Sequence, residues 1–214
     1  MNTKNLNELR YDYIAPSLNE LEMAVNPIIQ LELWLDEAIQ SKQIITPNAA
    51  TLATVNQNQQ PSARIILIKA ITENGLTFYT HYESQKGQDI AQNPKACLNF
   101  YWEPLHRQIK ITGKIKKTSQ KESETYFYSR PHASQAAAAI SPQSQPINKE
   151  TLHQEFNEIN NQTKIPYPTQ WGGYLLTPHA FEFWQGQPNR LHDRIQYTKP
   201  NPQKSQWKKT RLAP

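Results

Sequence analysis

Residues 50–79 read ATLATVNQNQQPSARIILIKAITENGLTFY. The alternation in Ala50–Val55 predicts a strand, the polar Asn56–Gln60 a hairpin turn, and Ala63–Ile71 the next strand. Glu73-Asn74-Gly75 is a turn signal, and Leu76–Tyr79 follows as a third strand. Strand lengths and turn spacing predict an antiparallel sheet or small barrel.

Downstream, a short helix is expected over Gln85–Gln92, stopped by Pro94, then strands near Ala96–Trp102 and Arg107–Lys116. Lys121–Ser129 and the Ala-rich Ser134–Ile140 read as helices. Asn148 is a plausible cap for a helix through Asn160, with Leu152, Phe156 and Ile159 on one face. Strands are expected at Tyr174–Leu176, Ala180–Gln185 and Arg194–Thr198, with a last one at Trp207–Leu212. Upstream, Asn26 caps a helix with Pro27 at its first position and Ile28, Leu31, Trp34, Leu35 and Ile39 at helical spacing. Residues 1–20 are polar and read as a mobile arm. No internal repeat or second domain boundary is visible, so 21–214 reads as one domain, a β-barrel core with helices around it.

The net charge of +5 fits either a polyanion partner or a site for small phosphorylated molecules. The densest basic run, Lys114–Lys121, reads as a solvated face, and no nucleic-acid motif accompanies it. A nucleic-acid-binding module is therefore the remote alternative. The single cysteine, Cys97, lies in an apolar stretch, reads as a buried thiol and suits a reducing compartment. No apolar h-region precedes Tyr13 and no run approaches the roughly 18 apolar residues of a membrane span, so a cytoplasmic protein is expected. The six histidines show no paired ligand spacing, so no metal is expected. No nucleophile elbow is present, and six glycines leave little room for a phosphate loop. A phosphate would have to be held mostly by side chains.

Three clusters supply such side chains. In Arg64-Ile-Ile-Leu-Ile-Lys69 strand alternation puts Arg64, Ile66 and Ile68 on one face and Ile65, Leu67 and Lys69 on the other. That is either a barrel strand with charged ends or two separate anion contacts. Tyr126, Arg130 and Ser134 are spaced by four and would share a helical face, although Pro131 interrupts it. They form either a surface group or a phosphate site, since guanidinium pairs well with phosphate. Arg190-Leu-His-Asp-Arg194 is the densest polar run, with Arg190, His192 and Arg194 facing one way if extended. It is either a basic surface strand or a ligand site.

With these segments in view, the chain resembles the pyridoxine/pyridoxamine 5'-phosphate oxidase family of split-barrel flavoproteins. The matching segments run in family order: Arg64–Lys69, Phe78-Tyr79-Thr80, Ser84-Gln85-Lys86, Arg107-Gln108, Tyr126–Ser134, Gln143-Ser144, Trp171-Gly172-Gly173, Glu182–Gly186, Arg190–Arg194 and the terminal Arg211-Leu-Ala-Pro214. The Arg-Leu-His-Asp-Arg run and the Arg-Leu-Ala-Pro ending are the most specific.

The resemblance implies a mainly β split barrel with flanking helices, forming a homodimer with two FMN sites between subunits. It implies oxidation of pyridoxamine 5'-phosphate or pyridoxine 5'-phosphate to pyridoxal 5'-phosphate, with hydride transfer to flavin N5 and O2 as acceptor, without nucleic-acid or membrane partners. FMN contacts are implied for Arg64, Ile65, Ile66, Leu67, Ile68, Lys69, Tyr79, Thr80, Gln85, Lys86, Gln108, Gln143, Ser144, Trp184 and Arg194. The substrate phosphate is implied for Lys69, Tyr126, Arg130 and Ser134. Arg190, Leu191 and His192 are placed at the substrate ring, with Arg190 and His192 as the catalytic pair. Arg10 and Tyr13 match a lid-like arm. The chain departs from the family at Gln85, where Arg is usual, and at Ala136–Ala139, where Gly and Trp are usual. Losing one charge-assisted bond at Gln85 removes about 1.5–3 kcal/mol of potential flavin contact. A split-barrel FMN protein with another substrate is the nearest alternative.

Overall fold

The structure is a computed structural model describing residues 5–8, 12–200 and 206–214. Five helices and nine strands alternate along these residues: α1 (Pro27–Gln40), β1 (Ala49–Val55), β2 (Pro61–Leu67), β3 (Ala70–Thr72), β4 (Gly75–His81), α2 (Gln85–Gln92), β5 (Lys95–Trp102), β6 (Arg107–Lys117), α3 (Gln120–Ser129), α4 (His132–Ile140), α5 (Lys149–Asn160), β7 (Trp171–Gln185), β8 (Asp193–Thr198) and β9 (Lys208–Leu212). The strands are hydrogen-bonded in the order β2-β1-β5-β6-β7-β4-β3, with β8 on β7 and β9 on β8. The mainly β reading with flanking helices stands. Contacts divide the chain into two compact units. The first comprises Met1–Pro47, Asn99–Lys110 and Ala180–Pro214; the second comprises Asn48–Leu98 and Ile111–His179. Among the described residues no helix is long and apolar enough to cross a membrane.

In the first unit, Asn26 caps α1 by accepting from the Ile28 N–H, and Pro27 occupies the first turn. Ile28, Leu31 and Trp34 are buried as expected, but Ala38 completes the stripe and Ile39 is exposed. Trp34 meets Phe183 edge-on at 5.2 Å, and Phe183 meets Tyr197 at 5.5 Å. Such edge contacts add about 0.5–1.5 kcal/mol beyond area burial.

In the second unit, β1 buries Ala50, Leu52 and Thr54 on one face and pairs antiparallel with β2, Leu52 opposite Arg64. The strand expected over Ala63–Ile71 is broken. The Ile68 N–H still donates to the Asn48 carbonyl at 2.9 Å, whereas the Lys69 N–H donates to the Thr77 carbonyl at 2.8 Å. The chain changes partner between these residues, so β2 ends at Leu67 and Lys69 stands at a corner before β3 instead of continuing the strand. The turn before β4 is closed by Gly75, whose φ is +138° and whose absent Cβ would lie 1.9 Å from the Leu176 carbonyl oxygen. Gly75→Ala should therefore destabilise the protein by roughly 3 kcal/mol, combining a glycine-only conformation with a backbone clash. A denaturant titration with an unchanged m-value checks this.

The two strands expected at Tyr174–Leu176 and Ala180–Gln185 form one strand, β7. Pairing with β4 stops at Leu176 and pairing with β8 starts at Ala180. Pro178 falls in the gap, where its missing N–H interrupts neither ladder. α3, α4 and α5 stand close to the expected bounds, and Asn148 caps α5 by accepting from the Thr151 N–H at 3.1 Å. Cys97 is half-buried rather than buried.

Candidate active site

The second unit holds a cavity of about 870 Å³, within the roughly 300–1,000 Å³ of small-molecule sites. Ile65, Ile66 and Leu67 enter it from β2, Lys69 from the β2–β3 corner, Tyr79 and Thr80 from β4, and Lys86 from α2. Tyr126 from α3, Arg130 just past it, Ser134 from α4 and Gln143 beyond α4 are the other expected residues on its wall. The structure thus gathers residues far apart in sequence around one cavity.

Lys86 is buried. Its Nζ donates to Gln143 Oε1 at 2.7 Å, Ser84 Oγ at 3.2 Å and Thr80 Oγ1 at 3.3 Å. All three acceptors are neutral. Burial, with the nearby positive charge of Arg64, pulls the ammonium down to about 8. Arg130 ends α3, where Pro131 stops the helix, so the equal spacing of Tyr126, Arg130 and Ser134 spans a helix break. Its guanidinium lies 4.9 Å from the centre of the Trp171 ring, and its Nη1 is buried without a hydrogen-bond partner among the described residues. Burial lowers the pKa of Arg130, which still leaves it charged. A buried donor left unsatisfied costs about 1–3 kcal/mol, and an anionic ligand would satisfy it. Tyr79 stacks on Tyr126 at 3.8 Å and on Trp171 at 5.5 Å. Flat aromatic walls, apolar strand residues and buried cations suit a planar ligand bearing phosphate.

Several cavity residues carried no ligand expectation. His81 Nε2–H donates to Ala138 O at 2.7 Å, and burial lowers the pKa of the ring. Trp171, Ala137, Ala138, Leu152, His153 and Phe156 also line the wall. Trp171 stood in a matching motif without a role, and Leu152 and Phe156 were read only as the apolar face of α5. The Ala-rich α4 places small side chains on the cavity, leaving space that larger ones would fill.

Other expected residues lie elsewhere. Arg64 donates through Nη1 to Thr54 Oγ1 at 2.6 Å, Ser62 O at 3.2 Å and Leu52 O at 3.3 Å, and its Nη2 is 3.9 Å from buried Asp89. Ile68 is buried. The exposed Gln85 gives its side-chain N–H to Asp89 at 2.8 Å and its backbone N–H to Ser144 Oγ at 3.3 Å. Arg10 lies outside the described residues.

The first unit carries Gln108 on β6, Trp184 on β7 and Arg194 on β8. Arg194 pairs with buried Glu182, which also takes Lys110. Burial alone would raise the Glu182 pKa, but these two partners hold it low. Arg190 does not alternate with His192 and Arg194 in a strand. It ends a 3-10 turn, Pro188–Arg190, with φ +62°, beside Asn189 at +55°. Two consecutive left-handed non-glycine residues are a costly conformation of the kind found at functional sites. His192 Nδ1 accepts from the Gln187 N–H at 3.1 Å. In the neutral ring the proton is therefore on Nε2, which is left as a donor. Burial, helped by Arg190, lowers the His192 pKa and favours that neutral form. Leu191 is exposed. Tyr13 packs edge-on to His192 at 5.3 Å.

A family model described as pyridoxamine 5'-phosphate oxidase matches residues 35–162, and one described as the pyridoxine 5'-phosphate oxidase C-terminal dimerisation region matches residues 171–214. The chain is 44% identical to a pyridoxine/pyridoxamine 5'-phosphate oxidase of Alcanivorax borkumensis, over 98% of this chain and 100% of the relative. It is 47% identical to one of Bordetella avium, with the same coverage. Among solved structures, PhzG from Burkholderia lata 383, in complex with tetrahydrophenazine-1-carboxylic acid, superposes with a TM-score of 0.87 at 29% identity, covering 94% of this chain and 99% of that one.

Proposed function

The chain belongs to the pyridoxamine 5'-phosphate oxidase family, and we propose that the second unit's cavity is where that family's substrate and cofactor phosphates bind. The activity is oxidation of pyridoxamine 5'-phosphate or pyridoxine 5'-phosphate to pyridoxal 5'-phosphate in a homodimer. FMN supplies the two-electron chemistry when bound, accepting hydride and returning electrons to O2.

The observation that carries this reading is Arg130, a half-buried cation whose Nη1 is a buried donor with no hydrogen-bond partner among the described residues, beside the Tyr126–Tyr79 stack. We assign the substrate phosphate to Arg130, Tyr126, Ser134 and Lys69. A fixed guanidinium and two hydroxyls orient a phosphate, and anchoring there presents the rest of the substrate in one pose. We assign the FMN phosphate to Lys86 with Thr80, Gln143 and Ser144, and its ring system to Ile65, Ile66, Leu67 and Tyr79. Arg64 supports this group through Asp89 and Thr54, in line with its observed bonds. Gln108, Trp184 and Arg194 are the FMN residues we assign from the first unit. Arg190 and His192 hold the substrate ring, His192 as a neutral Nε2 donor. The cytoplasm is the compartment we assign, consistent with one half-buried thiol.

Absorption spectroscopy and an oxygen-consumption assay test the reading. The protein should turn yellow with FMN and convert pyridoxamine 5'-phosphate to the aldehyde with one peroxide per turnover. Protein that stays flavin-free would overturn the cofactor assignment. Flavin-loaded protein inert toward both B6 phosphates would point to a different substrate.

A further inference from the structure

The segment from Asp12 to Asn19 has no regular secondary structure, so its position is set by what it touches. Tyr13 places its ring edge-on to His106, Trp184 and His192 at 5.2, 5.5 and 5.3 Å. It lies so close to Gly186 that a Cβ there would stand 2.6 Å from Tyr13 Cδ1. Four residues on, the segment is tied down by polar contacts. The Gln187 side chain donates to Pro16 O at 2.9 Å. Asp193 Oδ2 accepts from the Leu18 N–H at 2.9 Å and from Ser17 Oγ at 3.0 Å, while its Oδ1 pairs with Arg211. Arg211 also reaches Leu18 O and Glu20, and Lys209 donates to Met23 O at 2.9 Å.

Asp193 is the centre of this arrangement. It is buried, sits between His192 and Arg194, and satisfies its carboxylate wholly with the N-terminal segment and the C-terminal strand. Burying a carboxylate is costly unless every lone pair is used, so the contact is maintained only while the segment is docked.

We propose that Asp193 is a positioning residue that acts through Ser17, Leu18 and Arg211 to hold the Tyr13 ring against His192. This rests on the assignment of His192 to the substrate ring. The segment then forms one wall of that residue's surroundings, and its docking sets substrate affinity rather than the rate of chemistry.

The test compares Asp193→Asn with wild type as FMN-loaded full-length protein. Digestion with a glutamate-specific protease reads docking through cleavage after Glu20 and Glu22. Asp193→Asn should be cut at least about tenfold faster, since local opening governs cleavage. Its KM for pyridoxamine 5'-phosphate should rise about tenfold with kcat within about twofold, the signature of lost binding rather than lost chemistry. FMN affinity should stay within about threefold, and in a Tyr13→Ala background the KM effect should largely vanish, because contacting residues are non-additive. Wild-type cleavage and KM in Asp193→Asn would overturn the proposal. So would a fall in kcat at constant KM, a parallel loss of FMN, or full additivity with Tyr13→Ala. If Asp193→Asn does not fold, Ser17→Ala and Arg211→Gln carry the same measurements with the same outcomes. A wild type that binds FMN but oxidises neither B6 phosphate would defeat the functional reading alone, since the protease assay still judges the clasp.

Discussion

Arg130→Met should raise the KM for pyridoxamine 5'-phosphate roughly 10- to 100-fold, the range expected for a lost charge-assisted pair of about 1.5–3 kcal/mol. The Nη1 donor of Arg130 is buried, and no described residue supplies it with an acceptor. Its nearest compensation is the Trp171 face at 4.9 Å, worth about 0.5–2 kcal/mol. The free protein therefore bears a desolvation cost that a phosphate relieves. Removing the charge removes that cost too, so the ligand-free variant should melt no lower than wild type. A purely structural arginine would show the reverse, with stability lost and KM unmoved. Arg130→Lys should fall between, because an ammonium keeps the charge but not the fork. Steady-state kinetics and thermal melts, both after FMN loading has been verified, check the pair of outcomes. FMN affinity should hold, since Lys86 is left intact.

What the sequence made legible was largely local. Alternation and turn residues located β1, β4, β5 and β6, and caps at Asn26 and Asn148 located their helices. What was not legible depended on distant partners. The corner at Ile68–Lys69 exists because successive N–H groups donate to different neighbours, Ile68 to Asn48 and Lys69 to Thr77, and no residue type within Ala63–Ile71 announces it. Tyr174–Leu176 and Ala180–Gln185 were expected as two strands because the changeover from β4 to β8 that joins them across Pro178 is a tertiary fact. The left-handed backbone at Arg190, which removes the one-sided alternation an extended chain would give it with His192 and Arg194, was not legible because positive φ is signalled by glycine or asparagine, not arginine. In the site, cations and hydroxyls were found from motif order. The neutral wall was not, since Ala137, Ala138 and Phe156 differ from ordinary packing residues only in facing a cavity.

Flavin affinity should weaken about tenfold per pH unit above pH 8, and Lys86→Arg should abolish that dependence. Among the described residues the buried ammonium has the neutral acceptors Gln143, Ser84 and Thr80, and burial pulls its pKa down to about 8. Phosphate is already the dianion above about pH 6.5, so Lys86 is the group that changes between pH 7 and 9. The sign follows from the direction of the shift. A phosphate favours the protonated amine and raises its pKa on binding. Below pH 8 the free protein is already protonated and affinity is flat. Above pH 8 a proton must be taken up with the ligand, and affinity falls until the bound-state pKa is passed. Arginine stays charged throughout this window, so its variant should give a level profile even if its absolute affinity differs. Lys86→Met should lose about 1.5–3 kcal/mol, roughly 10- to 100-fold, at pH 7, and should likewise be flat. Fluorescence titration of FMN into apoprotein from pH 6.5 to 9 reads all three. Wild-type and arginine profiles that run parallel would move the FMN phosphate away from Lys86 and leave Arg130 as the cavity's principal anion site.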